Sequence, residues 1–154
     1  MTKTEIQREI INTIKANDMR GIILASVRSG KTRQLLISIK EYFKDKNPKV
    51  LVLYPNIDIK LSWEKECEII DYFPDITYCT FASMSKVIDN EWDCVIIDES
   101  HLLGEENQLP LAGKLAENTK HVIFASGTYN KDTLSDIKFY TKLKLIVNYP
   151  TSEA

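Results

Sequence analysis

The chain predicts an α/β fold, a mostly parallel sheet with helices on both faces, in a single domain over residues 1–154. Three observations carry that expectation. Short apolar runs alternate with segments whose apolar residues recur at helical spacing. The runs are apolar throughout rather than at every second position, as strands are when both faces of a sheet are covered. A length of 154 residues with 44% hydrophobic content is enough for one sizeable core.

Ile6, Ile10, Ile11 and Ile14 lie at helical spacing, so residues 4–16 read as an amphipathic helix, broken by Asn17-Asp18. Gly21-Ile22-Ile23-Leu24-Ala25 follows as a short buried strand. Leu35, Leu36, Ile39 and Phe43 then mark a helix over residues 31–44, and Lys44-Asp45-Lys46-Asn47-Pro48 is a polar turn. Val50-Leu51-Val52-Leu53-Tyr54 is a second apolar strand, stopped by Pro55-Asn56. Ile59, Trp63, Cys67 and Ile70 share one helical face, predicting a crossover helix over residues 57–72. Strands are expected at residues 76–81, 94–97 and 122–125, and a last one at 143–147. Leu109, Ala112, Leu115 and Ala116 suggest a short helix that tolerates Pro110 in its first turn, and Leu134 with Ile137 marks another.

Charged residues make up 27% of the chain with a net charge of -2, which excludes a uniformly basic coat for nucleic acid but leaves local phosphate contacts open. No apolar run approaches the roughly 20 residues that span a bilayer. Met1-Thr2-Lys3-Thr4-Glu5 lacks the layout of a secretory signal, so a cytoplasmic protein without a membrane partner is expected. Cys67, Cys79 and Cys94 are isolated, with no Cys-x-x-Cys spacing, and read as buried thiols rather than a zinc site. His101 and His121 do not alter that reading.

Two motifs carry chemistry. After the first strand comes Ala25-Ser26-Val27-Arg28-Ser29-Gly30-Lys31-Thr32, a phosphate-cradling loop with Ala25 where such loops usually begin with glycine. Backbone N–H groups around Ser29 and Gly30 and the start of the following helix face an anion; Lys31 reaches outer phosphates, and the Thr32 hydroxyl can hold Mg²⁺. Arg28 is either a phosphate contact or a solvated charge. Beyond Val95-Ile96-Ile97 comes Asp98-Glu99-Ser100-His101. There Asp98 suits Mg²⁺ and Glu99 suits activation of an attacking water. Ligands of parallel sheets bind beyond the carboxyl ends of the strands, where both motifs lie. Together they predict use of ATP with Mg²⁺.

With these motifs the chain resembles the first RecA-like P-loop NTPase domain of superfamily 2 DExH-type helicases and translocases, over nearly its whole length. Gln7 matches a glutamine that approaches the adenine in that family. Leu51 to Glu64, with Pro55-Asn56 and Trp63, resembles a nucleic-acid-contacting segment, with Ser62 replacing the usual glutamine. Thr80-Phe81-Ala82-Ser83-Met84 resembles another, in which Thr80 and Ser83 would touch the backbone of DNA or RNA. Ser126-Gly127-Thr128 stands where the family has Ser/Thr-Ala-Thr, and His101 would bond toward Ser126 or Thr128 and sense the γ-phosphate. Gly127 and Tyr129 depart from the family pattern. The resemblance implies an ATP-hydrolysing motor half whose second RecA-like domain, supplied in cis or in trans, is missing from this chain. Without the arginine finger of that domain, hydrolysis would be slower by roughly 10³–10⁵-fold.

Two other readings fit part of the pattern. Ser29-Gly30-Lys31-Thr32, Leu53-Tyr54-Pro55-Asn56-Ile57-Asp58 and Asp98-Glu99 also resemble thymidine kinases. Those enzymes usually add a cysteine-bound zinc and a lasso loop after the acidic motif, whereas this chain has no Cys beyond Cys94 and ends soon after its last strand. The other reading is a stand-alone module that binds nucleotide or a partner without turnover.

Overall fold

The computed structural model describes residues 2–25 and 30–149. The first helix, α1 (Lys3–Ala16), starts at Thr2, whose hydroxyl accepts the Glu5 N–H at 3.1 Å while the Glu5 carboxylate accepts the Thr2 N–H at 3.4 Å. This reciprocal cap satisfies two donors that the first turn leaves without partners. Then follow β1 (Gly21–Ala25), α2 (Lys31–Phe43), β2 (Lys49–Tyr54), α3 (Ile57–Ile70), β3 (Asp75–Thr80) and β4 (Cys94–Ile97). The chain closes with α4 (Gln108–Asn118), β5 (Val122–Ser126), α5 (Lys131–Thr141) and β6 (Leu145–Tyr149).

Among the described residues the six strands form one sheet in the order β3-β2-β4-β5-β1-β6, and every neighbouring pair is parallel. Successive strand residues point to opposite faces. Ile23, Ala25, Val50, Val52, Ile96 and Ile123 pack with α1, α2 and α3. Ile22, Leu51, Leu53, Val95, Ile97 and Phe124 pack with α4 and α5. A strand clamped between two helical layers has no solvent face, which is why its sequence is apolar at every position. Each such Val, Ile or Leu contributes about 1.5–3 kcal/mol by leaving water. On the second face α4 and α5 pack closely at Gly113, where an added Cβ would come within 2.7 Å of the Tyr140 carbonyl oxygen.

Three of the differences from the expected element boundaries have a plain local reason. The third helix stops at Ile70 because Asp71 turns left-handed (φ 53°) and its N–H returns to the helix carbonyls. The third strand is displaced by one residue, since Phe81 already belongs to a 3₁₀ turn (Phe81–Lys86) that buries its ring. The last strand begins at Leu145 rather than 143. Lys142 is left-handed (φ 60°), and the Leu143 N–H donates to Thr141 Oγ1 at 3.2 Å, so Leu143 is buried as part of a turn. Among the described residues no helix is long and apolar enough to cross a membrane.

The strand order positions the site. The phosphate loop follows β1, the acidic motif follows β4, and β5 lies between these two strands. The carboxyl ends of β4, β5 and β1 therefore stand side by side.

Candidate active site

At the β1 side, α2 opens at Lys31 with Gly30 as its N-cap, at φ 79° and ψ 41°. Only a residue without a side chain takes this left-handed conformation cheaply. Space is also short, because a Cβ on Gly30 would stand 3.3 Å from Gln7 Nε2. The structure thus puts Gln7 of α1 beside the end of the loop. Thr32, second in α2, is partly exposed. Arg28 and Ser29 lie outside the described residues.

At the β4 side, Asp98 is buried and its N–H donates to the Leu53 carbonyl at 2.9 Å. Glu99 then takes φ 53° and ψ 42°. For a residue with a Cβ this left-handed kink costs roughly 1–2 kcal/mol. It bends the chain at the strand tip, and the Glu99 carboxylate meets the start of α2. Lys31 Nζ lies 2.7 Å from Asp98 Oδ1 and 2.6 Å from Glu99 Oε1. Its side chain is 5% exposed, Asp98 3% and Glu99 19%. Burial alone would push the Lys31 ammonium down, but the adjoining Asp98 and Glu99 charges and hydrogen bonds outweigh it and hold the pKa above its ordinary value. The group is one cation between two carboxylates at the start of α2.

Between them, β5 contributes Ser126, fully buried. Its Oγ lies 2.6 Å from His101 Nδ1 and 2.6 Å from the Thr128 carbonyl oxygen, and it accepts the Thr128 N–H at 3.0 Å. One hydroxyl proton serves one partner; given to the carbonyl, it leaves His101 Nδ1–H as the donor. His101 Nδ1 is also 3.6 Å from Glu99 Oε2. The structure therefore brings together Lys31, Asp98, Glu99, His101, Ser126 and Thr128, with Gly30, Thr32 and Gln7 alongside.

The residues expected to face nucleic acid are placed elsewhere, beyond β4 at the ends of β2 and β3. Asn56 caps α3, its side-chain oxygen accepting the Asp58 N–H at 3.1 Å, with the partly buried Pro55 before it. Thr80 ends β3, and Ser83 lies in the following 3₁₀ turn. Trp63, from the same resembling segment, is fully buried, and its indole N–H donates to Asp98 Oδ2 at 2.9 Å. It faces the acidic site rather than a surface groove.

Two further partners escaped the sequence reading. Ser100 Oγ donates to the Ala125 carbonyl at 3.2 Å and pairs closely with the Tyr129 hydroxyl. Burial pushes the Tyr129 phenol upward; Ser100 opposes that shift, and the Asp98 and Glu99 charges reinforce it. Tyr129, a departure from the helicase pattern, thus braces the turn that carries Glu99. The signal for it in sequence was the departure itself.

The family model for thymidine kinase matches residues 20–145, which span the phosphate loop, the acidic motif and five of the six strands from end to end or nearly so. The chain belongs to the thymidine kinase family. No individual curated protein matches it with significance. Among solved structures, the chain is similar to the UvsW helicase from bacteriophage T4, with TM-score 0.64, 12% identity, and 84% of this chain and 55% of that one covered. It is also similar to the Hef helicase domain of Pyrococcus furiosus, with TM-score 0.70, 13% identity, and 92% and 37% covered. At such identities the likeness shows the fold alone, an all-parallel α/β sheet of RecA-like type, and the chain spans about half or less of either structure.

The family match corrects the helicase and translocase reading. Phosphate loop, acidic pair and parallel sheet are what any enzyme needs to hold a nucleoside triphosphate beyond its strand ends. They weighed toward a motor through Gln7, the Leu51 to Glu64 and Thr80 to Met84 segments, His101 and Ser126 to Thr128, and Gly127, Tyr129 and Ser62 break that motor pattern. The DNA or RNA partner and the missing second domain rested on the same resemblance. An ATP-using enzyme of the kinase type is what the family match supports.

Proposed function

We propose that the chain is an ATP-dependent nucleoside kinase whose acceptor is thymidine or a close deoxynucleoside analogue. The observation that carries this reading is the thymidine kinase match over residues 20–145, which encloses the Lys31–Asp98–Glu99 group.

The residues present fit magnesium and a triphosphate. Asp98, Glu99 and the Thr32 hydroxyl are hard oxygen donors of the kind magnesium prefers, and the Gly30 backbone, closed to a side chain, faces the phosphate position at the start of α2. Magnesium ATP, when bound, supplies the phosphoryl donor and neutralises charge between its outer phosphates.

This chain's residues do the rest. Lys31 turns from the carboxylates to the phosphates and neutralises charge that builds during transfer. Asp98, released by Lys31 but still held by Trp63, and Thr32 would be the metal's protein ligands. Glu99 takes the proton from the primary hydroxyl of the nucleoside as that oxygen attacks the γ-phosphorus. The P–O bond to the ADP leaving group breaks, giving the nucleoside monophosphate and ADP. His101, bonded to Ser126 through Nδ1, stands beside Glu99 at 3.6 Å. Gln7, beside Gly30, lies on the nucleotide side.

The test is ADP formation from Mg-ATP with and without thymidine. Thymidine-dependent turnover that disappears in Glu99→Gln supports the proposal. Turnover indifferent to thymidine, or none despite Mg-ATP binding, contradicts it; the latter would make the chain a binding module.

A further inference from the structure

Trp63 is the largest fully buried side chain of the α3 layer, and its polar atom is spent on the acidic site. The two oxygens of Asp98 are divided between partners. Oδ1 lies 2.7 Å from Lys31 Nζ and accepts the Glu99 N–H at 2.9 Å, while Oδ2 accepts the Trp63 indole N–H at 2.9 Å. The division follows from the sheet order. β2 is the neighbour of β4, so the helix after β2 lies against the tip of β4.

The contrast with Trp92 marks this contact as more than packing. Trp92 is partly buried, its ring is covered by Lys49 Nζ at 5.0 Å, and its N–H goes to the Val87 carbonyl at 3.1 Å. It precedes β4, whereas Asp98 follows it. One tryptophan closes a loop; the other holds a carboxylate in the reaction site. An indole only donates, and its ring is rigid, so it holds an acceptor oxygen in one place.

We propose that Trp63 is a positioning residue for magnesium binding. It fixes the Asp98 carboxylate by Oδ2, so that Oδ1 stays presented to the phosphate loop once Lys31 has turned to a nucleotide. This rests on the assignment of Asp98 to magnesium in the kinase reading, not on the identity of the acceptor. It makes Trp63 the built-in optical reporter of the loaded site.

Two variants test it on the full chain, with ADP and magnesium as probes. In Trp63→Phe the ring volume is mostly kept and the donor is lost. The magnesium concentration that half-saturates ADP binding, read by calorimetry, should rise by about tenfold or more, as when partners of metal ligands are removed. ADP binding at excess magnesium should persist. A merely structural role would lower Tm and leave the magnesium midpoint in place, and that result overturns the proposal. Trp92→Phe leaves Trp63 as the remaining tryptophan; its emission should change with ADP plus magnesium and not with ADP plus EDTA. Unchanged emission while calorimetry records binding overturns the proposal even if Trp63→Phe fails to fold. A magnesium shift without thymidine phosphorylation would support the Trp63 assignment and contradict the nucleoside kinase, so the two can fail separately.

Discussion

The two ends of α2 carry mirror-image charge groups. At its start one lysine, Lys31, stands between two carboxylates, Asp98 and Glu99, and is nearly sealed from water. Near its end one carboxylate, Glu41, stands between two cations of α1. Arg8 donates to it through two nitrogens at 2.8 and 3.1 Å, and Lys15 lies at 2.9 Å, with side chains 30–50% exposed. The attraction is of the same kind, but its worth differs. Exposed pairs are screened and contribute about 1 kcal/mol or less, so the Glu41 group is a surface staple between α1 and α2. The Lys31 group gathers three charges at a cost in lost hydration that a pair of apolar residues would not incur. A buried and unbalanced group of this kind is a weak stabiliser for its desolvation cost and a candidate for chemistry.

Changes to either group test that contrast, and the largest effects belong to the buried one. Glu99→Gln should lower thymidine-dependent turnover by roughly 10²–10⁴-fold, the usual worth of a general base, with Mg-ATP affinity little changed in calorimetry. Lys31→Ala should lower turnover by roughly 10²–10³-fold and weaken ATP binding as well, because it removes a donor aimed at developing charge. A turnover loss in Glu41→Gln of the same size would erase the distinction between the two groups.

The pH response should separate them at opposite ends of the scale. Glu41 is held down to about 2 from 4.5, chiefly by hydrogen bonds from Arg8 and Lys15 against a smaller opposing effect of burial. A depressed carboxylate contributes its full stability above its unfolded value and loses it as pH falls through the folded one. The stability advantage of the wild type over Glu41→Gln, about 1 kcal/mol or less at pH 7, should therefore shrink from about pH 4.5 downward and vanish near pH 2 in urea titrations. Lys31 has the opposite sign. Its folded pKa stands above 10.5, because the two carboxylates outweigh burial, so its contribution is full below that pH and is lost only as pH rises past it. Unfolding curves of the wild type should show no Lys31 titration step between pH 5 and about pH 10.

The contrast also explains what could be read from sequence. The strands were legible because burial on both faces leaves unbroken apolar runs such as Val50 to Tyr54. Lys31 and Asp98-Glu99 were legible because phosphate chemistry demands those residue types at strand ends. Trp63 and Tyr129 were not. Trp63 reads as one apolar position on a helical face, and its bond to Asp98 depends on β2 lying next to β4, which no local pattern encodes. The Ser100–Tyr129 contact likewise depends on β4 and β5 being neighbours. The family was harder to read than the fold, since the motor and the kinase share the phosphate loop and acidic pair. His101 with Ser126 tilted the reading toward the motor, although the pair simply stands beside the acidic motif that both readings share.

The most direct test follows the phosphoryl group itself. With ATP labelled at the γ-phosphate, magnesium and thymidine, the wild-type chain should place label in thymidine monophosphate, and Glu99→Gln and Lys31→Ala should not. Label recovered only as inorganic phosphate, or equal labelling of the nucleotide product by Glu99→Gln, would contradict the assignment of this site as a nucleoside kinase.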